Sequence, residues 1–303
     1  GETFLAVRGL SLAVNRGESF GLLGPNGAGK STTIGMLIRR TLPTSGDAEV
    51  NGHSVLKDCP AAFKCLGVVP QDDILWDSLS CYDHLALFAR LRGIPERAVD
   101  SLCVTTLIEM GLTKQKGKWA QSLSGGMKRR LCTGIALIGN PEVVVLDEPS
   151  AGLDPLARRI LWNALLRTMD ERAMVLTTHS MDEAEVLCGR LGIVVAGQMQ
   201  CIGSPQRLKN QYGHGYEVSI RLKEASASRV TEVVQAFQQE HPSAEVLDEY
   251  VTGVTLLVPR QEMDVSKTFG TLEALRSQYP IDFYGLDQSS LDTIFLDFAM
   301  RKR

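Results

Sequence analysis

The chain has 303 residues, 44% of them hydrophobic and 22% charged, with a formal net charge of −3. That size and composition suit a soluble globular protein of two domains, or one large α/β domain with an appendage. They exclude a disordered chain, a collagen-like repeat and a disulfide-built miniature scaffold, and no global basic field is present to recruit nucleic acid. The charge is uneven: residues 216–303 hold 14 acidic and 9 basic side chains, against 21 and 23 in residues 1–215. No apolar run approaches the roughly 18 residues that a membrane-spanning helix needs. The start, Gly1-Glu2-Thr3-Phe4-Leu5, has neither the basic nor the apolar region of a signal peptide. It also lacks an initiator Met, which points to a processed chain or a piece of a longer one. The seven cysteines (59, 65, 81, 103, 132, 188 and 201) form no C-x-x-C pair, and an odd number favours free buried thiols in a reducing cytosol.

In chain order, Ala6–Val14 alternates like strands and Asn15-Arg16-Gly17-Glu18 punctuates like a turn. Phe20–Leu23 reads as a short apolar strand, followed by a Gly-rich loop and a helix through Ile34–Ile38. Ala48–Val50 with Asn51-Gly52 reads as strand and turn, and Leu66–Val69 as a strand ending at Pro70-Gln71. From about Ser80 to Ile138 the pattern is helical, with Tyr82–Leu91 and Glu96–Met110 divided by Gly93-Ile94-Pro95. Val143–Leu146 is the apolar run of a strand buried on both faces. Helix Leu156–Met169, strand Met174–Thr177, helix Met181–Leu187 and strand Gly192–Val195 follow. Strands alternating with helices predict βα units and a parallel sheet. The character changes near 212–216. Beyond it the pattern predicts strand 217–222, helix 229–239, strands 245–249 and 254–258, helix 266–279, strand 282–286 and a last helix from about 290 to 301. That βαββαβ order is the ferredoxin-like arrangement. The expected domains are therefore residues 1–215, with a helical subdomain near 72–138, and residues 216–303.

Three motifs carry chemistry. Gly24-Pro25-Asn26-Gly27-Ala28-Gly29-Lys30-Ser31-Thr32 fits G-x-x-x-x-G-K-[ST], between a strand and a helix. Its glycines let backbone N–H groups curl around phosphate oxygens, and the following helix points its positive end at the same anion. Lys30 would bridge the β- and γ-phosphates, and Ser31 would ligate Mg²⁺. In Val143-Val144-Val145-Leu146-Asp147-Glu148 an apolar strand delivers a carboxylate at its C-terminal end. Asp147 would hold Mg²⁺ and Glu148 would polarise the attacking water as general base. In Leu123-Ser124-Gly125-Gly126-Met127-Lys128-Arg129-Arg130, a Ser followed by two Gly opens another helix and makes a second anion-binding end. One ATP does not need two such ends from one chain, so the second is expected to face ATP held by another subunit. Lys128, Arg129 and Arg130 read as a solvated face or dimer contacts. His53, His84, His214 and His241 lack metal-ligand spacing and read as surface or packing residues.

With these three motifs the sequence resembles ATP-binding cassette (ABC) ATPases over residues 6–203. The resemblance extends to Gln71, like the family's Q-loop, to Ser150-Ala151-Gly152-Leu153-Asp154, like its D-loop, and to His179 in Thr177-Thr178-His179-Ser180, like its switch histidine. It implies a P-loop α/β core with an antiparallel β flank and a helical subdomain, binding ATP and Mg²⁺. It also implies two cassettes meeting head to tail, each sandwiching ATP between one P-loop and the partner's Ser124, Gly125 and Gly126. Gln71 joins Ser31 and Asp147 as a metal ligand, Asp154 lies in the nucleotide interface, and Glu148, His179, Gln71 and Lys30 serve hydrolysis. Met127 stands where the family often has Gln. The family stacks adenine on an aromatic upstream of the P-loop; Phe4, the single aromatic before Phe20, reads first as a core strand residue and second as that stacking residue.

Pro70–Ser80 leading to Ala89-Arg90-Leu91-Arg92-Gly93, the stretch from His179 to Asn210, and Leu291–Ala299 together look like the A subfamily of eukaryotic ABC transporters, which move lipids and sterol-like molecules. There the cassette is followed by a small regulatory domain ending in a Val-Phe-Val-Asn-Phe-Ala-like segment, which Ile294–Ala299 resembles. The implied partners are transmembrane domains, a second cassette and a partner regulatory domain, at the cytosolic face of a membrane. Ile74, Leu75 and Trp76 would either help form an apolar cup for the membrane subunit or belong to the core of the helical subdomain. Bacterial drug-exporter ATPase subunits share the cassette and a related tail. A soluble ABC ATPase acting on nucleic acid or ribosomes is disfavoured by one P-loop, one signature and the negative net charge.

Overall fold

The computed structural model describes residues 5–224 and 227–300. They divide into two compact units, one built on the residues up to Pro205 together with those from Phe298 onward, and one on Gln206–Asp297. The break thus falls before the expected 215/216. The reason is a helix, Pro205–Tyr212, that the sequence pattern did not reveal. Its Gln206 donates to Gln288 Oε1 at 2.8 Å and its Asn210 accepts from Gln288 Nε2 at 2.8 Å, so its bonds lie within the second unit.

In the first unit β1 (Ser19–Leu23) is buried at all five positions and runs into α1 (Lys30–Leu37). A hairpin of β2 (Glu49–Val50) and β3 (His53–Ser54) turns at Asn51-Gly52, both at positive φ as that dipeptide favours. Then come α2 (Cys59–Lys64), which the sequence did not reveal, and β4 (Leu66–Val69). Three helices follow: α3 (Cys81–Leu91), α4 (Glu96–Glu109) and α5 (Gly125–Leu137). The unit continues with β5 (Val143–Asp147), α6 (Pro155–Leu166), β6 (Ala173–Thr178), α7 (Met181–Leu187), β7 (Arg190–Val195) and β8 (Gln198–Gly203). The six-stranded sheet has the order β4-β5-β6-β1-β7-β8 and is parallel except for the β7–β8 hairpin. Parallel strands covered on both faces need continuous apolar runs, and Val143–Leu146 and Ala173–Leu176 supply them.

The expected antiparallel flank is smaller than the alternation of Ala6–Val14 suggested. Among the described residues that segment forms no strand. Its backbone contacts loops instead of a ladder: Arg8 N–H donates to Gly197 O at 2.7 Å. Among the described residues, antiparallel pairing in this unit consists of the two hairpins and one isolated bridge between Ser80 and Trp119.

Helices α3, α4 and α5 share a core that includes Leu85, Val99, Leu107 and Leu131, within the expected helical region. Ser80 and Asp83 close a reciprocal capping box that starts α3. Buried His84 receives the Trp76 N–H on Nε2 at 3.0 Å, and its Nδ1 lies 2.8 Å from Ser80 O. It is therefore a packing residue that pins the loop after Gln71. All seven cysteines are unbridged, and among the described residues no helix is long and apolar enough to cross a membrane.

The second unit opens with α8 (Pro205–Tyr212). It then follows β9 (Gly215–Leu222), α9 (Ala227–Glu240), β10 (Glu245–Tyr250), β11 (Gly253–Pro259), α10 (Val265–Gln278) and β12 (Ile281–Gln288), and its last element is α11 (Leu291–Met300) as far as Asp297. The strand order β10-β11-β9-β12, antiparallel throughout, is that of a ferredoxin-like sheet. Alternate residues Val218, Ile220 and Leu222 of β9 and Val254, Leu256 and Val258 of β11 pack with Val233, Phe237, Leu272 and Leu275 of the helices. Each such side chain contributes about 1.5–3 kcal/mol by burial. Ile294 of the apolar tail segment is also buried.

His241 follows α9, stacked on Phe237 at 4.7 Å between ring centres. It is buried, and its Nε2 has no hydrogen-bond partner. Burial, with Lys267 second, pushes its pKa below the ordinary 6.5. Below that pH the unfolded chain gains a proton that the folded unit resists. The stability linked to this residue is therefore present above pH 6.5 and is lost as pH falls below 6.5. The midpoint of the second unit's urea transition should fall across that window, and His241→Phe should flatten the fall. A wild-type midpoint independent of pH would contradict this assignment.

Candidate active site

The loop between β1 and α1 holds a run of backbone N–H groups in a tight curl. Gly27 and Gly29 take φ values of 78° and 100°, where a side chain is strained. A Cβ on Gly29 would press into the Ala6 carbonyl oxygen, and one on Gly24 into that of Val194. The loop is thus walled by backbone from two other segments. Pro25 is partly buried, Ala28 is buried, Asn26 and Gly27 are exposed, and Ser31 and Thr32 begin the helix. Gly29 caps α1 without a side-chain bond, which leaves the first-turn N–H groups free for an anion.

Lys30 folds back over this cradle. Its Nζ donates to Gly24 O at 2.6 Å and Pro25 O at 3.2 Å. Its burial pulls its pKa down, while Glu148 and Asp147 push it up. The net result is a partly desolvated cation beside two carboxylates.

The sheet register brings those carboxylates in. Asp147 of β5 is the register partner of Thr177 of β6, and Leu23 of β1 pairs with Thr178. The Thr177 hydroxyl donates to Asp147 Oδ1, and Ser31 Oγ lies 3.5 Å from that same oxygen. Glu148 then adopts φ 48°, uncommon for a non-glycine residue. Its N–H is shared between Thr177 O and Thr177 Oγ1, both at 3.1 Å. Its Oε2 lies 3.3 Å from His179 Nδ1, with the histidine side chain 62% exposed and the glutamate 16%. Lys30, Ser31, Asp147, Glu148 and His179 therefore converge at the carboxyl ends of β1, β5 and β6.

The remaining expected residues sit elsewhere or face outward. Ser124 caps α5, its Oγ accepting from Met127 N at 3.4 Å, and Ser124 and Gly125 are exposed. A Cβ on Gly126 would touch Leu153 and Ala157, so α5 lies against the loop from Ser150 to Asp154. Among the described residues, no hydrogen bond of Ser124, Gly125 or Gly126 reaches the P-loop. Asp154 caps α6, accepting from Ala157 N at 2.9 Å. Gln71 is exposed beyond β4. Phe4 lies outside the described residues.

One expectation fails outright. Arg129 and Arg130 are not a solvated face: they are 4% and 8% exposed. Arg129 donates to Asp147 O at 2.6 Å and Glu148 O at 2.9 Å, and Arg130 to Met110 O at 2.7 Å. A buried guanidinium is tolerable where carbonyl oxygens satisfy its N–H groups, and no sequence pattern announces those carbonyls. Thr177 was also missed as a site residue, although it stands two positions before His179. Its role follows from register, which the sequence does not display.

The donor set fits a nucleoside triphosphate with a divalent cation. The hydroxyl of Ser31 and the buried carboxylate of Asp147 are hard oxygen donors of the kind that share Mg²⁺ with phosphates. Gly29→Ala should weaken ATP binding at least about tenfold, because the positive φ and the Ala6 carbonyl together oppose a Cβ at a cost of about 1–3 kcal/mol. Titration with a fluorescent ATP analogue measures this, and unchanged affinity would rule out the cradle as built.

Comparison with known proteins shows the family. Residues 7–151 match the ABC transporter family model, and residues 213–288 match "ABCA1-like, C-terminal R1 regulatory domain". The phospholipid-transporting ATPase ABCA3 of Rattus norvegicus is 44% identical over 97% of this chain, and ATP-binding cassette sub-family A member 2 of the same species is 44% identical over 98%. The chain spans 17% and 12% of their respective lengths. A solved ATP-binding subunit of an ABC transporter superposes with TM-score 0.64 at 28% identity, over 68% of this chain and 87% of that one. The R1 match and the A-subfamily relatives favour this branch over a bacterial drug-exporter subunit. The chain belongs to the A subfamily of ABC transporters, as a nucleotide-binding ATPase cassette joined to an ABCA1-like R1 regulatory domain.

Proposed function

We propose that this chain is the motor segment of a membrane transporter. It binds and hydrolyses ATP, and head-to-tail closure of two cassettes drives attached transmembrane domains that move a lipid-like substrate. The observation that carries this reading is the division of the site. A cluster of Lys30, Ser31, Asp147, Glu148 and His179 sits at one sheet edge, while a second anion-binding helix end, Ser124–Gly126, faces outward and bonds to none of it. A partner cassette supplies the missing half.

In this reading the P-loop N–H groups and Lys30 bind the phosphates, and the partner's signature helix end stabilises charge on the γ-phosphate. Ser31, Asp147 and Gln71 hold Mg²⁺, which neutralises phosphate charge. Glu148 accepts a proton from the attacking water, Gln71 and His179 orient the reacting groups, and Asp154 lies at the cassette interface. Residues 216–303, with α8 joined to them, act as a regulatory module that meets a partner regulatory domain, and the residues before α8 are the cassette. The lipid-like substrate is inferred from the phospholipid named for the ABCA3 relative.

In the same reading a membrane domain docks at the apolar depression lined by Phe63, Leu66, Val68, Phe88, Arg92 and Ile135, and the chain works at the cytosolic face. Near it in sequence, Ile74 and Trp76 are 69% and 50% exposed while Leu75 packs on the helical core.

Glu148→Gln should cut ATP turnover by about 10²–10⁴, the usual worth of a general base, and leave ATP binding intact. With ATP that variant should accumulate as a dimer by sedimentation, and adding Ser124→Arg should return it to monomer. Full turnover in Glu148→Gln removes the base assignment, and an ATP-independent monomer removes the sandwich.

A further inference from the structure

One buried side chain outside the cluster touches both the segment that bears Gln71 and the segment that bears Asp147 and Glu148. Arg129 lies in the second turn of α5, five residues past Ser124. Its Nη1 donates to Pro70 O, to Gln71 O at 3.1 Å and toward Asp73 Oδ1 at 3.4 Å. Nη2 donates to Asp147 O at 2.6 Å and Glu148 O at 2.9 Å, and Nε to Pro149 O at 3.1 Å. The two segments are far apart in sequence and otherwise belong to separate strand ends. A planar guanidinium with five N–H groups in a fixed fork sets the distance between them.

Glu148 shows what this geometry holds. Its backbone sits at φ 48°, a strained conformation that a non-glycine residue keeps only where its surroundings impose it. Thr177 grips its N–H from one side and Arg129 grips its carbonyl from the other. The peptide on each side of the Glu148 Cα is therefore fixed, and with it the direction of the carboxylate toward His179. Nη1 of the same guanidinium holds the Gln71 carbonyl, so the group that takes the proton and the group that orients the water share one anchor.

We infer that Arg129 is a positioning residue for hydrolysis: its guanidinium locks the Gln71 segment and the strained Glu148 backbone into one rigid unit with the signature helix. This rests on the proposed ATPase reading. A lysine keeps the charge but offers one nitrogen, which cannot reach both segments.

The experiment has two arms. In the nucleotide-free chain, amide hydrogen exchange in peptides covering 70–76 and 147–153 should accelerate together by at least about tenfold in Arg129→Lys. Turnover should fall about tenfold to a hundredfold, as expected when a catalytic group is misplaced by an ångström, with KM for ATP changed by less than about threefold. In the Glu148→Gln background, Arg129→Lys should lower turnover by less than about twofold further, because its effect passes through that carboxylate. Unchanged exchange in either peptide overturns the inference, as does additive loss in the double variant or a parallel rise in KM. If Arg129→Lys loses its melting transition, Asp73→Asn is the second probe. It should loosen 70–76 and lower kcat at constant KM, and no effect on either overturns the inference. A wild-type chain without ATPase activity sinks the functional reading instead, while the exchange arm still decides whether the anchor exists.

Discussion

The pairing of Asp147 with Thr177 on adjacent parallel strands is the constraint from which the site follows. Moving β5 by one residue against β6 would turn the Asp147 carboxylate to the opposite face of the sheet. It would also remove the hydroxyl that binds both Asp147 and the Glu148 N–H. The register is secured by what surrounds it. β1 and β6 are buried at every position, and the Val143–Leu146 run of β5 packs between its neighbours. Hydrophobic burial of three central strands thus places a carboxylate to within hydrogen-bond precision.

The cost of that placement is visible at the same point. Lys30 is desolvated, Glu148 has a left-handed backbone, and Gly24 and Gly29 sit where backbone from other segments leaves no room for a Cβ. Each feature is unfavourable alone and acceptable because neighbouring groups compensate it. Carbonyl oxygens accept from Lys30, and Thr177 with Arg129 holds both peptides of Glu148. Polar groups removed from water are worth more to function and cost more if left unpaired. The second unit has a simpler economy. Its antiparallel sheet has an alternating apolar face packed with α9 and α10, and its one buried unpaired polar ring atom, among the described residues, is that of His241.

Much of this was legible before any coordinates. The run Gly24–Thr32 between a strand and a helix, the apolar strand ending in Asp147-Glu148, and Ser124-Gly125-Gly126 opening a helix are local patterns, and each occurs where the sequence placed it. The βαββαβ order beyond Gly215 was readable from periodicity. Ala6–Val14 misled because alternation describes a half-buried extended chain, whether or not a partner strand is present to pair with it. The helix Pro205–Tyr212 was missed because it is short and polar apart from Leu208.

The sequence by itself determined the elements, the phosphate-binding loop, the acids at the strand end and the two-unit organisation. Those properties depend on residues near one another along the chain. The tertiary structure decided which carbonyls face Arg129, which hydroxyl meets Asp147, and that the Lys128–Arg130 run is a buried tie at two of its three positions. A side chain's charge is written in the sequence. Whether that charge meets water or a set of backbone oxygens depends on segments dozens of residues away, and packing alone brings them together.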